Sequence, residues 1–364
     1  MKLTFPHMGN VYISVKALLD TIGTDYYMPP PWSRDNMQRG INSSPEFMCL
    51  PFKKILGDFI DGLEHGADTI LFGESCGRCR MNYYGDLQTK ILRDMGYRFD
   101  YIHLNLSSLT YGEIMSKLGP LFKGTSKALA VSAVTSAVRT IFAVDGLYRA
   151  ACFVRCRESV KGSTDSIMLE FEEQAGRARG FAETRLALSE ARVKLSRVAT
   201  DARADPVKIG IVGEIFMLSD MFSNLEIEKK LGGMGAFAVN TMSVSEWMKK
   251  HFIRAMLPVK PRDKAVAAAQ KYMRAKDIGG HGIYTVGNAE LMCGSGLDGI
   301  IQVYPFTCMP EITAQPALGE ISEKNGTPVM TLILDEMTSE TGYVTRLEAF
   351  TDMLKMKKEK SSAS

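Results

Sequence analysis

The chain has 364 residues, 45% hydrophobic and 23% charged, with 44 basic and 41 acidic side chains and a net charge of +3. That length supports two or three domains around a substantial core. The near balance of charge, without a basic stripe interleaved with aromatics, argues against a nucleic-acid partner.

The opening MKLTFPHMG lacks an apolar leader core, which predicts a cytoplasmic protein. Leu3 to Phe5 reads as a short strand, Gly9 as a turn, and Val15 to Ile22 as a helix stopped by Gly23. A second strand leads into the turn-rich MPPPWSRDN. Cys49 precedes a helix over Pro51 to Glu64, with Gly66 just past its end. Thr69 to Phe72 is a short buried strand running into GESCGRCR, and Asp86 to Met95 is a helix stopped by Gly96.

From Tyr111 to Val198 the pattern is mainly helical. Its most apolar stretch, Ala128 to Val144, is broken by Ser132, Thr135, Ser136, Arg139 and Thr140. It falls short of the roughly 18 uninterrupted apolar residues that mark a membrane span, so no membrane partner is expected. Ser166 to Arg197 places Met168, Phe171, Ala175, Leu188 and Leu195 at helical spacing, as a solvated helical hairpin would. ATDARADP is a linker.

Val207 to Val212 restarts the alternation with a strand, then a helix over Asn224 to Leu231 and a strand over Ala236 to Asn240. A helix-rich stretch covers Ser245 to about Ala275. Gly299 to Tyr304 is a strand ending at PFTCMPE, and Val329 to Leu334 a strand followed by DEMTSETGYVTRLEAF. The expectation is an α/β protein with two Rossmann-like lobes, each on a parallel sheet, joined by a mainly helical segment. The boundaries are 1–110, 111–205 and 206–354, with 355–364 a polar, disordered tail.

The seven cysteines carry the chemistry. In a long cytoplasmic chain they read as metal ligands or buried thiols rather than as a disulfide framework. Cys49-Leu50-Pro51 and Cys308-Met309-Pro310 share a Cys-x-Pro pattern, and Cys76-Gly77-Arg78-Cys79 lies between them. A thiol just before a proline-started helix meets free backbone N–H groups and the positive end of the dipole, which favours the thiolate that binds metal. The C-x-x-C alone fits an iron–sulfur ligand pair, structural zinc or a redox dithiol. No second close pair exists, so Cys49, at a helix start, and Cys76, Cys79 and Cys308, just after the carboxyl ends of strands, would meet only through tertiary folding. Iron–sulfur is the leading reading, with zinc and thiol redox open.

Arg80 and Tyr83 (with Tyr84) follow the C-x-x-C and are candidate hydrogen-bond donors to a cluster sulfur. Lys53, one turn after Cys49, is a candidate for the same cleft. Cys152 and Cys156, spaced i, i+4 on a helix, and Cys293 read as structural thiols. Asp335, Glu336, Glu340, Arg346 and Glu348 follow a strand, where salt bridges and caps explain them as well as acid–base work does. GGMGAF lies between a helix and a strand, the reverse of a phosphate loop, and no Walker A motif is present, so no ATP site is expected.

The runs EFMCLPFKKILGDFIDGLEHGAD, GESCGRCRMNYYGDLQ, DGIIQVYPFTCMPE and LDEMTSETGYVTRLEAF together resemble the 2-hydroxyacyl-CoA dehydratase superfamily, in particular its activase-related, double-cubane-cluster branch. The resemblance runs from about Phe5 to Leu354. It implies an oxygen-sensitive cytoplasmic protein with an iron–sulfur centre between Rossmann-like lobes, either [4Fe-4S] or a sulfide-bridged [8Fe-9S]. It implies iron ligation by Cys49, Cys79 and Cys308, with Cys76 an additional ligand candidate. It also implies a separate ATP-dependent activator of actin/Hsp70-like fold as electron donor, a homodimer, and a small-molecule or acyl-CoA substrate. Radical elimination of water from a 2-hydroxyacyl-CoA, reduction of small molecules and plain electron relay are the activities within that implication.

Overall fold

Short apolar runs alternate with helical segments along both halves, and parallel sheets are what such alternation produces. The computed structural model describes residues 1–31, 33–74, 79–105, 111–250, 262–273 and 278–362. In the first lobe β1 (Leu3–Thr4), β2 (Tyr26–Tyr27), β3 (Thr69–Glu74) and β4 (Asp100–Asn105) pair in parallel in the order β2-β1-β3-β4. In the second, β5 (Val207–Gly213), β6 (Ala236–Asn240), β7 (Gly299–Pro305) and β8 (Val329–Leu334) pair in parallel in the order β6-β5-β7-β8. The same path is taken twice. In each lobe the order reverses beside the first strand, where open α/β sheets gather ligands.

The first lobe carries α1 (Val11–Ile22), α2 (Arg34–Ser43), α3 (Leu50–Glu64) and α4 (Tyr84–Asp94). The middle segment is α5 (Tyr111–Leu118), α6 (Lys127–Arg155), α7 (Ser163–Arg177) and α8 (Gly180–Ser196). The second lobe holds α9 (Ile215–Ser219), α10 (Ile227–Gly233), α11 (Val244–Met248), α12 (Lys264–Ala269), α13 (Gly282–Cys293), α14 (Met309–Asn325) and α15 (Glu340–Ser362). The sequence expectation of two parallel α/β lobes joined by helices is the architecture observed. It lacked β4, α2 and α13. Asp100–Asn105 is a polar edge strand with a weak pattern, and Arg34–Ser43 follows three prolines that read as a turn.

The helix after Cys49 sits at the centre of the first lobe. Every residue of α3 from Leu50 to Leu63 is buried, and Phe52, Ile55, Phe59 and Ile70 share one core with Tyr84. Each such apolar side chain contributes about 1.5–3 kcal/mol. α2 reaches α3 backbone to backbone because both carry glycine at the crossing. A Cβ on Gly57 would lie 1.8 Å from the Asn36 carbonyl oxygen, and one on Gly40 1.8 Å from that of Lys53. The buried charges on α3 are paired: Lys54 Nζ lies 3.1 Å from Asp58 Oδ2, and Asp58 also accepts the His7 N–H at 3.0 Å.

The middle segment shares its core with the first lobe. Ala130, Ala133, Thr140, Val144, Leu147 and Ala151 form the buried stripe of α6, at spacings of three, four and seven residues that keep them on one helix face. Val144 and Leu147 meet Phe171, Leu188 and Leu195 of the α7–α8 hairpin and Leu3, Phe5 and Ile13 of the first lobe. By length and composition alone α6 is able to cross a membrane, and 22% of its most apolar stretch is buried. The polar interruptions read from the sequence, Ser132 to Thr140, fall within this helix, which passes on mean hydropathy although its apolar run is not continuous. The tail expected to be disordered from residue 355 instead continues α15 as far as Ser362. Leu347, Phe350 and Leu354 anchor that helix on the second core, and Lys358 pairs with Asp205 at 2.7 Å.

Candidate metal centre

Three cysteines occupy equivalent local positions, each the residue that caps a helix start. Cys49 precedes α3 with Pro51 in its first turn, and Cys308 precedes α14 with Pro310 in its first turn. Cys79 precedes the 3₁₀ turn Arg80–Tyr83 that leads into α4. Proline fits there because the first helical N–H groups have no intrahelical partner. Cys79 and Cys308 follow the third strand of their lobes, β3 and β7, so the repeated topology delivers them to facing ends of the two sheets. With Cys49 they line one cavity of about 280 Å³, together with Pro51, Tyr84, Glu214 and Pro310. Cys76 lies outside the described residues.

The turns are tied across the lobes by one guanidinium. Arg80 donates to the Phe47 carbonyl at 3.1 Å, to the Thr307 carbonyl at 2.6 Å and to Thr307 Oγ1 at 2.7 Å. Thr307 Oγ1 in turn donates to the Phe47 carbonyl at 3.2 Å. Thr307 has a φ of +67°, a left-handed conformation costing a β-branched residue about 1–3 kcal/mol. Arg80, a candidate donor to a cluster sulfur, directs these hydrogen bonds to the loops before Cys49 and Cys308.

Two other expectations change. Tyr83 is 66% exposed, whereas Tyr84 is 1% exposed, and it is the Tyr84 phenol that hydrogen-bonds Cys49 Sγ at 2.5 Å. The 3₁₀ turn rotates the first of the two tyrosines outward. Lys53 is buried but does not line the cavity: its ammonium pairs with Glu336 of the second lobe and donates to the Glu46 carbonyl at 3.2 Å. It fastens α3 to the loop after β8. Of the other acidic-loop residues, Glu340 pairs with Lys230 at 2.9 Å, and Arg346 donates to the Thr331 carbonyl. Cys152 donates to Glu228 at 3.3 Å and Cys156 to the Phe153 carbonyl at 3.3 Å. Neither, nor Cys293, lines the cavity.

Glu214 was missed by sequence reasoning. It follows β5 directly, the second-lobe counterpart of the end of β1, and the signal was a carboxylate at a strand's carboxyl end. Its side chain caps α9, accepting the Phe216 and Met217 N–H groups at 3.0 and 2.9 Å, and burial raises its pKa to about 6. Behind Cys308, Glu311 is fully buried between Thr285 Oγ1 at 2.9 Å and Gln302 Nε2 at 3.0 Å. Burial, with Glu214 nearby, raises it to about 7.

The same environment acts on the thiols. Burial pushes Cys79 up to about 11, with Glu214 and Cys49 adding to the rise. Burial also raises Cys49, against the opposing effect of the Tyr84 hydrogen bond and the Arg80 charge. Cys308 rises most, from burial, Glu311 and Glu214. The helix starts therefore do not keep these thiols ionised by themselves, contrary to the sequence argument. Desolvation and mutual repulsion outweigh the dipole. A cation between them would reverse this, since a bound metal deprotonates its thiol ligands.

The donor set suits a soft metal: three thiols and a carboxylate, with Arg80 the single cation among the described lining residues. Among the described residues no three His, Cys, Asp or Glu side chains gather as ligands of a single ion would. The three thiols nonetheless line one cavity, and thiolates sharing a cavity are the donors that hold iron–sulfur clusters. The residues fit an iron–sulfur cluster on these grounds. Compared with known proteins, the chain matches no family model, and no curated protein matches it.

Proposed function

We propose that this chain is an iron–sulfur protein of the 2-hydroxyacyl-CoA dehydratase type, with Cys49, Cys79 and Cys308 as the ligands of a [4Fe-4S] or bridged [8Fe-9S] cluster between the lobes. The observation that carries the reading is the meeting of three cysteines, remote in sequence and drawn from both lobes, at three helix starts around one cavity. Such a cluster, when bound, supplies single electrons at low potential. Around it the chain's own groups have separate tasks. The thiols would release their protons to solvent as they bind metal, Tyr84 hydrogen-bonds the Cys49 sulfur, and Pro51, Tyr84 and Pro310 form the buried side of the cavity. The Glu214 carboxyl, at about 6, holds or releases a proton close to neutral pH.

With no phosphate-binding loop in the sequence, the electron is proposed to come from a separate ATP-dependent activator of actin/Hsp70-like fold. The acceptor is proposed to be a small molecule, or an acyl-CoA if the chain is a dehydratase subunit in an assembly. We place the protein in the cytoplasm, in keeping with the free thiols of Cys49, Cys79, Cys152, Cys156, Cys293 and Cys308. The test is iron, acid-labile sulfide and zinc per chain after anaerobic purification. About four iron with equal sulfide supports an ordinary cubane, and sulfide in excess of iron the bridged form. Stoichiometric zinc without iron overturns the proposal.

A further inference from the structure

We infer that Arg80 is the positioning residue that sets the three thiols around the cavity, by fastening the Cys49, Cys79 and Cys308 turns to one another across the two lobes. The inference rests on the reading of these cysteines as one site. Arg80 is covalently next to Cys79. Its guanidinium bonds the carbonyl two residues before Cys49 and both oxygens of the residue directly before Cys308. One planar fork thus contacts all three ligand-bearing turns, and among the described residues none of its hydrogen bonds goes to a sulfur.

Thr307 supports the argument independently. A β-branched residue at φ +67° is held there only by its surroundings. The groups that hold it are the two Arg80 N–H donors and the Phe47 carbonyl that accepts its hydroxyl. The Phe47 carbonyl is shared by Arg80 and Thr307, which closes the triangle. Without the fork, the turn before Cys308 loses the donors to its carbonyl and hydroxyl oxygens, and the second lobe's thiol is free to move away from those of the first. Lysine preserves the charge but cannot span three acceptors in a plane.

The test separates geometry from metal. In metal-free protein carrying Cys76→Ser, dibromobimane, which fluoresces on joining two neighbouring thiols, is added and the bridged pair mapped by mass spectrometry. Bridging of Cys308 to Cys49 or Cys79 is expected, slowed about tenfold in Arg80→Ala and Arg80→Lys, the size of a lost charged hydrogen-bond set. Millimolar guanidinium is expected to restore Arg80→Ala and not Arg80→Lys. Thr307→Gly, which tolerates the left-handed backbone and keeps the carbonyl acceptor, is expected to bridge at close to the wild-type rate, confirming that a folded turn suffices once Arg80 is present. Equal bridging rates in wild type and both Arg80 variants overturn the inference. Iron loading and reduction potential are then compared in the same Arg80 variants. Slowed bridging in protein that takes up no iron at all sinks the cluster reading while leaving the positioning role intact.

Discussion

The phenol of Tyr84 lies 2.5 Å from Cys49 Sγ, in a core where its ring packs edge-on against Phe52 at 5.0 Å between centroids. The tyrosine therefore does two separable things: its ring fills the first lobe, and its hydroxyl is a hydrogen-bond partner of a ligand sulfur.

Tyr84→Phe keeps the ring and removes the hydroxyl. A donor to a cluster sulfur stabilises the reduced, more negative state. The variant should load iron normally, lose about 1 kcal/mol of stability, and show a lower reduction potential in an anaerobic redox titration. An unchanged potential would restrict Tyr84 to packing.

Serine at Cys49, Cys79 or Cys308 should each sharply lower bound iron, measured against protein concentration. Alanine at Cys152 or Cys156 should leave the visible spectrum intact, since both thiols are committed to Glu228 and to a helix carbonyl. Cys76→Ser decides the role of the remaining cysteine. Retained iron with retained reductive activity assigns ligation to the other three, whereas lost iron makes Cys76 a ligand and favours electron relay through a fully thiolate-bound cluster.

Glu311, at about 7, and Glu214, at about 6, stand above the 4.5 of an ordinary glutamate. Both bind a proton more tightly folded than unfolded. The stability this gives is complete below about pH 4.5 and is lost as the pH rises through 6 and 7. Metal-free protein should therefore weaken between about pH 5 and 7.5, Glu311 alone accounting for roughly 3 kcal/mol. Thermal melts across that range should be flatter for Glu311→Gln. A slope identical to wild type would assign the pH dependence to other groups.

Gly57→Ala would raise the stability of an exposed helix by about 1 kcal/mol. Here the added methyl meets the Asn36 carbonyl at 1.8 Å, so the sign reverses. A loss of about 1–3 kcal/mol in urea unfolding is expected, because α2 must lift off α3. A stabilised variant would mean that the crossing is looser than the structure has it.

The sequence by itself determined the elements with strong local signals. Val329–Leu334 and Ala236–Asn240 were legible as strands because β-branched and apolar runs stand between polar stretches. Cys49 and Cys308 were legible as helix starts because a proline two residues on marks the first turn. Glu214, the choice of Tyr84 over Tyr83 and the Arg80–Thr307 link were not, because each depends on which chain passes nearby. Glu214 was one carboxylate among many until β5 lay beside β7 and brought it to Cys308. Tyr83 and Tyr84 were equivalent as letters, and only the rotation of one 3₁₀ turn sent the second inward. The helix-start argument for ionised thiols reversed for the same reason. A dipole is a local property readable from sequence, whereas desolvation is set by everything that packs around the group, and at Cys308 the tertiary structure supplied the larger effect.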